Sequence, residues 1–328
     1  MTAPSHAQGV AARRAEQTGR IEEKLRRELG PQICGWLDDP AVIEIMLNAD
    51  GALWVERLGA GMDRCGSMPA AQAESLMATV ASTLRTEITR DNPILECELP
   101  LDGSRFEALL TPVVAAPTFT IRRKALAVFS LDDYVTQGVM SAPQRDRVRR
   151  AVAERHNILV VGGTSTGKTT FANAVIEEIR LASPEHRLVI IEDTAEIQCR
   201  AANKVMLRAV EGVDMTRLLK ATMRLRPDRI CIGEVRGPEA LALLKAWNTG
   251  HPGGVATVHA NDARAGLIRL EQLIAEVSPT PMPALIGEAV DLIVVIAKTP
   301  TGRRITEVVT VQGHAGPDYC LSREDFHP

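Results

Sequence analysis

Residues 157–175 read NILVVGGTSTGKTTFANAV. An unbroken apolar run, Ile158–Val161, gives way to small and polar residues and one lysine, after which a helical pattern takes over. Wholly apolar strands belong to sheets covered on both faces, so the polar loop that follows this one is not filling a core. Its spacing is G-x-x-x-x-G-K-[ST] without mismatch: Gly162, Gly163, Thr164, Ser165, Thr166, Gly167, Lys168 and Thr169, with Thr170 next. Glycines let the backbone curl so that successive amides face inward at anionic oxygens. The helix expected over Lys168–Arg180 adds the positive end of its dipole. Lys168 is expected to reach the β- and γ-phosphates of ATP, and Thr169 to offer its hydroxyl to Mg2+. A Gly/Ser/Thr turn that matches by chance is the alternative, and the strand before and helix after argue against it.

Downstream the pattern alternates strand and helix. Leu188–Ile191, Arg229–Ile232, GVATVHA and LIVVIAK have strand length, and ITEVVTVQG closes the series. Asp214 is a natural N-cap for a helix through Leu225, and Asn261 or Asp262 for the helix after GVATVHA. Pro238 opens another helix that Gly250 ends, the positions each residue favours. Such alternation predicts a parallel sheet with helices on both faces. Upstream the reading changes. The charge-rich helix over residues 10–29 stops at Gly30-Pro31, and Val42–Leu47 and Leu53–Glu56 flank a turn at 48–51. An amphipathic helix carries Leu76, Val80 and Leu84, and RFEALLTPVV and TFTIRRKA alternate as paired strands do. The first 125 residues or so therefore read as a small α+β domain. The Pro, Gly and Ser of the following stretch read as a linker.

Bulk properties narrow the function classes. The 328 residues suffice for two domains, and 45% hydrophobic with 24% charged residues is ordinary for a globular chain. A net charge of −3 gives no global attraction to nucleic acid, so no direct nucleic-acid partner is expected. The six cysteines, Cys34, Cys65, Cys97, Cys199, Cys231 and Cys320, include no C-x-x-C pair, so zinc is not expected and reduced thiols are. No signal peptide is evident, and no run reaches the roughly 18–20 apolar residues of a membrane span. The expected location is cytoplasmic, with peripheral association at the inner membrane left open.

Hydrolysis needs more than a phosphate loop. RLVIIEDTAEIQ presents Glu192, Asp193 and Glu196, and DRICIGEVRG ends an apolar strand in Gly233-Glu234. In a parallel sheet the carboxyl ends of strands share one edge with the phosphate loop. Acids there can hold Mg2+ through water and orient an attacking water. TGHPGGVATVHAND adds His251 among glycines and His259 at a strand end, and a neutral imidazole there could donate to the γ-phosphate.

The order GGTSTGKTT, IIEDTAEI, LRPDRICIGEVRG, TGHPGGVATVHAND resembles the Walker A, Asp box, Walker B and His box of the type II/IV secretion-ATPase superfamily. VIEIMLNADGALWVE, LDGSRFEALL and FTIRRK are similar to the N-terminal domain of its type IV branch. The resemblance implies a RecA-like P-loop NTPase domain over 146–328, a linker over 131–145, and a PAS-like α+β domain with a leading helix over 1–130. It implies that Lys168 and Thr169 serve ATP and Mg2+, that Glu234 is the catalytic base, and that Glu192, Asp193 and Glu196 support the metal. His259 looks like the sensor of the His box, with His251 less defined. Arg105 in GSRF and Arg122 in TIRRK resemble arginines that approach the γ-phosphate when the domains close, Arg123 being an equally placed neighbour. The same resemblance implies a homo-oligomer, a hexameric ring, acting on an inner-membrane secretion channel. Two departures, Thr194-Ala195 in the acidic box and no tetracysteine insert, favour the conjugation branch. Competing readings are a pilus-retraction or type II secretion ATPase, a RecA-type DNA motor, and a nucleotide-gated scaffold with little turnover.

Overall fold

The computed structural model describes residues 6–57, 60–124, 128–210 and 212–323. The chain forms two compact units, Met1–Leu126 and Ala127–Pro328.

The first unit opens with α1 (His6–Asp38), broken at Gly30, where φ is 77°. That angle suits glycine, and Pro31 restarts the helix at a position where its missing N–H costs nothing. The strands β1 (Val42–Leu47), β2 (Ala52–Arg57) and β3 (Gly61–Ser67) precede α2 (Ala70–Thr83), and β4 (Ile94–Glu98), β5 (Arg105–Leu109) and β6 (Thr118–Arg122) follow it. They make one antiparallel sheet in the order β3-β2-β1-β6-β5-β4. Side chains alternate between faces. Val55, Ile45, Ile121 and Phe106 are buried in a core with Leu29, Ile33, Leu76, Met77 and Val80 of the two helices. A residue adjacent to each of these strand residues makes a charged row in direct register, Glu56, Glu44, Arg122 and Arg105, which Glu98 of β4 continues.

In the second unit, α3 (Leu131–Thr136) and α4 (Ala142–Ala153) lead into β7 (Ile158–Gly162) and α5 (Lys168–Ala182). β8 (Leu188–Glu192), β9 (Lys204–Arg208), α6 (Met215–Thr222), β10 (Arg229–Ile232), α7 (Glu239–Asn248), β11 (Val255–His259) and α8 (Ala263–Ala275) come next. The described residues of this unit close with α9 (Pro283–Ala289), β12 (Leu292–Thr299), β13 (Gly302–Ala315) and β14 (Asp318–Arg323). The sheet order is β14-β13-β12-β7-β11-β10-β8-β9. Because both faces are covered, β7, β8, β10 and β11 are apolar between their end residues apart from the buried Thr257. Leu159, Val161, Ile191 and Ile232 pack against α6–α9, among Leu243, Trp247 and Leu270. Ile158, Val160, Ile190 and Cys231 pack on the other face against α3–α5, among Tyr134, Val148 and Phe171.

Two expectations are corrected. Residues 131–145 are not a linker: Leu131, Tyr134 and Met140 are core residues of the second unit. The polar residues that suggested a linker are helix signals. Ser130 and Ser141 each close a capping box, with Asp133 and Gln144, and Pro143 lies in the first turn of α4. The sheet is also not parallel throughout. β12 pairs with β7 in parallel, but β13 and β14 run antiparallel as a meander, because Thr299–Gly302 is a tight turn rather than a crossover.

Candidate nucleotide site

β7 is registered beside β11, with Gly162 opposite His259, and β11 beside β10, with Ala256 opposite Ile232. β10 in turn pairs with β8, Ile232 opposite Ile191. The loop after β7, His259, Gly233-Glu234 and Glu192-Asp193 therefore emerge along one edge. Buried Thr257 secures it, its hydroxyl donating to the Gly233 carbonyl at 2.8 Å.

The loop is shaped for anions. Ser165 and Gly167 both have positive φ, 57° and 100°, and alternation with ordinary residues turns successive amides to one side. A Cβ on Gly162 would stand 2.4 Å from the Ile296 carbonyl, so only glycine fits between β7 and β12. Thr166 closes the curl with a hydrogen bond from its hydroxyl to the Gly163 carbonyl at 3.0 Å. The largely buried Lys168 donates to the same carbonyl at 2.9 Å, and its Nζ lies 3.2 Å from both ring nitrogens of His259. Thr169 and Thr170 follow it in the first turn of α5. This is a backbone cup with one cation at its lip, the donor set a triphosphate requires.

The acids divide by role. Glu234 Oε1 is 2.9 Å from His259 Nε2, and its Oε2 accepts from Arg236 at 2.7 Å. Arg236 also reaches Asp193 Oδ2 at 3.2 Å, while Asp193 Oδ1 accepts from the Thr194 amide. The bond to Glu234 raises the pKa of Arg236 further, so the guanidinium stays charged between the two acids. Glu192 points elsewhere. It is 3% exposed, and its Oε1 accepts from the amides of Glu196 and Ile197 at 3.0 and 2.8 Å. Burial pushes its carboxyl up to about 7, against those two amides, which hold it down. Glu192 thus folds the acidic segment, and the Glu196 backbone is one of the groups it holds.

Sequence reasoning passed over two residues of this edge. Arg236 sits two positions after Glu234, with no motif to mark it. Asn173, fully buried on α5, accepts from the Gln198 amide at 2.9 Å and donates to the Glu196 carbonyl at 3.4 Å. It ties α5 to the acidic segment. Its only signal was an amide on an otherwise apolar helix face.

His251 precedes β11 and His259 ends it, so the two histidines stand at opposite ends of one strand. In the first unit, Arg105 and Arg122 face each other across β5 and β6, and Arg122 also faces Glu44. Arg123 is differently employed, donating to the backbone carbonyls of Asp39 and Val42. The pair Arg105–Arg122 is therefore distinct from its neighbour.

For Mg2+, the described residues hold no group of three or more His, Cys, Asp or Glu arranged around an ion. An ion that keeps most of its water and binds phosphate oxygens needs only one or two protein groups. Thr169 and Asp193 suit that requirement by their chemistry and by the edge they share. Among the described residues no helix is long and apolar enough to cross a membrane.

Residues 37–310 match the family described as type II/IV secretion system protein. The chain is 57% identical over 307 residues to the probable conjugal transfer protein TrbB of Sinorhizobium fredii, covering 94% of each. It is 30% identical over 315 residues to the protein VirB11 of Agrobacterium fabrum, covering 84% of this chain and 90% of the relative. A crystal structure of the pilus retraction motor PilT with bound ADP superposes with a TM-score of 0.60 at 19% identity, over 90% of this chain and 82% of that one.

Proposed function

Because the chain belongs to the type II/IV secretion system protein family, we propose that it is the ATPase of a type IV secretion or conjugative transfer system. One observation supports this reading above the others. The loop cup, Lys168, His259 and the Glu234–Arg236–Asp193 chain all emerge from adjacent strand ends of one sheet.

The reaction we propose is hydrolysis of ATP to ADP and phosphate. The loop amides and Lys168 bind the phosphates and Glu234 accepts the proton of the attacking water. His259, between Lys168 and Glu234, orients both. Arg236 keeps Asp193 and Glu234 from repelling each other, so each stays where it is needed. Thr169 and Asp193 would hold Mg2+, partly through water, and the ion would supply charge neutralisation on the phosphates. Glu192 and Glu196 act by holding the segment that presents Asp193.

The reading takes the second unit as a RecA-like motor and the first as its PAS-like partner. Arg105 and Arg122 then serve the γ-phosphate on domain closure, in a ring of six subunits that works on the inner-membrane channel from the cytoplasmic side. Lys168→Ala is expected to abolish ATP binding and turnover, and Glu234→Gln to bind ATP without releasing phosphate. Undiminished phosphate release by either purified variant overturns the assigned roles.

A further inference from the structure

Resting on the nucleotide reading above, the direction in which ATP lies can be deduced from the sheet order. His259, Glu234 and Asp193 come from β11, β10 and β8, all on one side of β7. The γ-phosphate, which needs these groups, faces that side. The α-phosphate and nucleoside must then leave the loop on the other side, over β12 and β13.

Arg303, the second residue of β13, stands there. Strand alternation puts it on the same face as Ile305, which packs in the core that α5 covers. Its Cδ and Nε lie 3.5 and 3.6 Å from where a Cβ on Gly167 would be. The guanidinium therefore borders the loop at the residue before Lys168, where the left-handed glycine leaves it room. The strand is held firmly at this point. Arg304 donates to the Gly138 carbonyl, the Ile305 amide donates to the Val139 carbonyl at 2.7 Å, and Gln144 donates to the Ile305 carbonyl at 3.3 Å. Arg303 Nε is buried and finds no acceptor among the described residues. A buried, unanswered N–H is costly, and beside a ring of inward amides the matching acceptor is an anionic oxygen.

We propose that Arg303 is a second cation of the nucleotide site, set to bind the α-phosphate end as Lys168 binds the γ end. A guanidinium suits the role, since its fork can take two oxygens of one phosphate.

The test compares ADP and ATP affinities, by titration of the full-length protein, for Arg303→Ala, Arg303→Gln and Arg303→Lys, with Lys168→Ala alongside. Because the α-phosphate is common to both nucleotides, Arg303→Ala and Arg303→Gln should weaken ADP and ATP by the same factor, roughly 10- to 100-fold. Arg303→Lys should recover part of the loss. Loss of ATP affinity alone would put Arg303 at the γ-phosphate and overturn the assignment. So would unchanged ADP affinity in both neutral variants, or a lowered nucleotide-free melting midpoint with wild-type affinity, which marks a structural role. If Lys168→Ala also binds as wild type does, the nucleotide reading itself has failed.

Discussion

Glu234 Oε1 and His259 Nε2 stand 2.9 Å apart, one at the end of β10 and the other at the end of β11. The same imidazole lies 3.2 Å from Lys168 Nζ, so it links the cation proposed to bind phosphate to the proposed base. A ring in that position can fix the base and report on the γ-phosphate. His259→Ala is expected to lower kcat by roughly 10²- to 10⁴-fold, the range for a group taking part in proton transfer or its positioning. ADP affinity should change little. Phosphate release and ADP titration on the same preparation check both halves, and an equal loss in the two would mean that His259 merely shapes the loop.

Arg236 neutralises two acids at once, Glu234 at 2.7 Å and Asp193 at 3.2 Å. Arg236→Ala removes the guanidinium that both carboxylates bond, and with it the contact that fixes their positions. The variant should therefore lose kcat by roughly 10-fold or more while ADP affinity changes little. Arg236→Lys, which keeps the charge but loses the fork, should restore kcat in part. A wild-type kcat in the alanine variant would remove Arg236 from the positioning of these acids.

Gly162 and Gly163 look equivalent in the sequence, and their surroundings differ. A Cβ at Gly162 would meet the Ile296 carbonyl at 2.4 Å and the Thr166 hydroxyl at 2.6 Å. At Gly163 the nearest atom is Thr166 Cγ2 at 3.7 Å, ordinary contact. Gly162→Ala is expected to destabilise the protein by about 1–3 kcal/mol, the cost of forcing a group into filled space. Gly163→Ala should stay within about 1 kcal/mol of wild type by the same reasoning. Denaturant midpoints of the two variants test the contrast, and equal midpoints would contradict it.

Asn173 has no exposure and makes two hydrogen bonds to the backbone of the acidic segment. Asn173→Ala strands the Gln198 amide, for a loss of about 1–3 kcal/mol. Asp193 should be held less firmly as well. Proteolysis of the segment around 193–198, compared with wild type, reads this out directly; unchanged protection would mean that Glu192 alone holds the segment.

Much of this architecture was legible because its causes are local. Unbroken apolar runs marked the doubly covered strands, and Asp214 and Asp262 do cap α6 and α8. What escaped depends on distant partners. The carboxylates of Glu192 and Asp193 are neighbours in sequence, yet alternation turns one into the backbone and the other toward Arg236. His251 and His259 appeared to form one box, but a strand separates them. The segment 131–145 was misread because capping residues and linker residues share a composition, and only the core beneath Leu131 and Tyr134 tells them apart. Strand β9 escaped because its exposed edge position leaves it the alternating pattern of Lys204 to Arg208 rather than an apolar run.

Far from the nucleotide edge, His186 Nδ1 accepts from the buried Arg229 Nε at 3.1 Å. Burial, and then the positive charge of Arg229, lower the pKa of His186 below its ordinary value of 6.5. A histidine with a lowered folded-state pKa binds fewer protons folded than unfolded, so stability rises with pH in that interval. Its contribution is present above the unfolded value and is lost as pH falls through the folded one. Protonation also removes the acceptor that Arg229 uses, leaving two cations side by side. The melting midpoint of the nucleotide-free protein should therefore fall as pH drops below about 6.5. In His186→Gln, whose carbonyl still accepts from Arg229 but does not titrate, the fall should be shallower. Parallel wild-type and variant curves across that range would show that other groups carry the acid sensitivity.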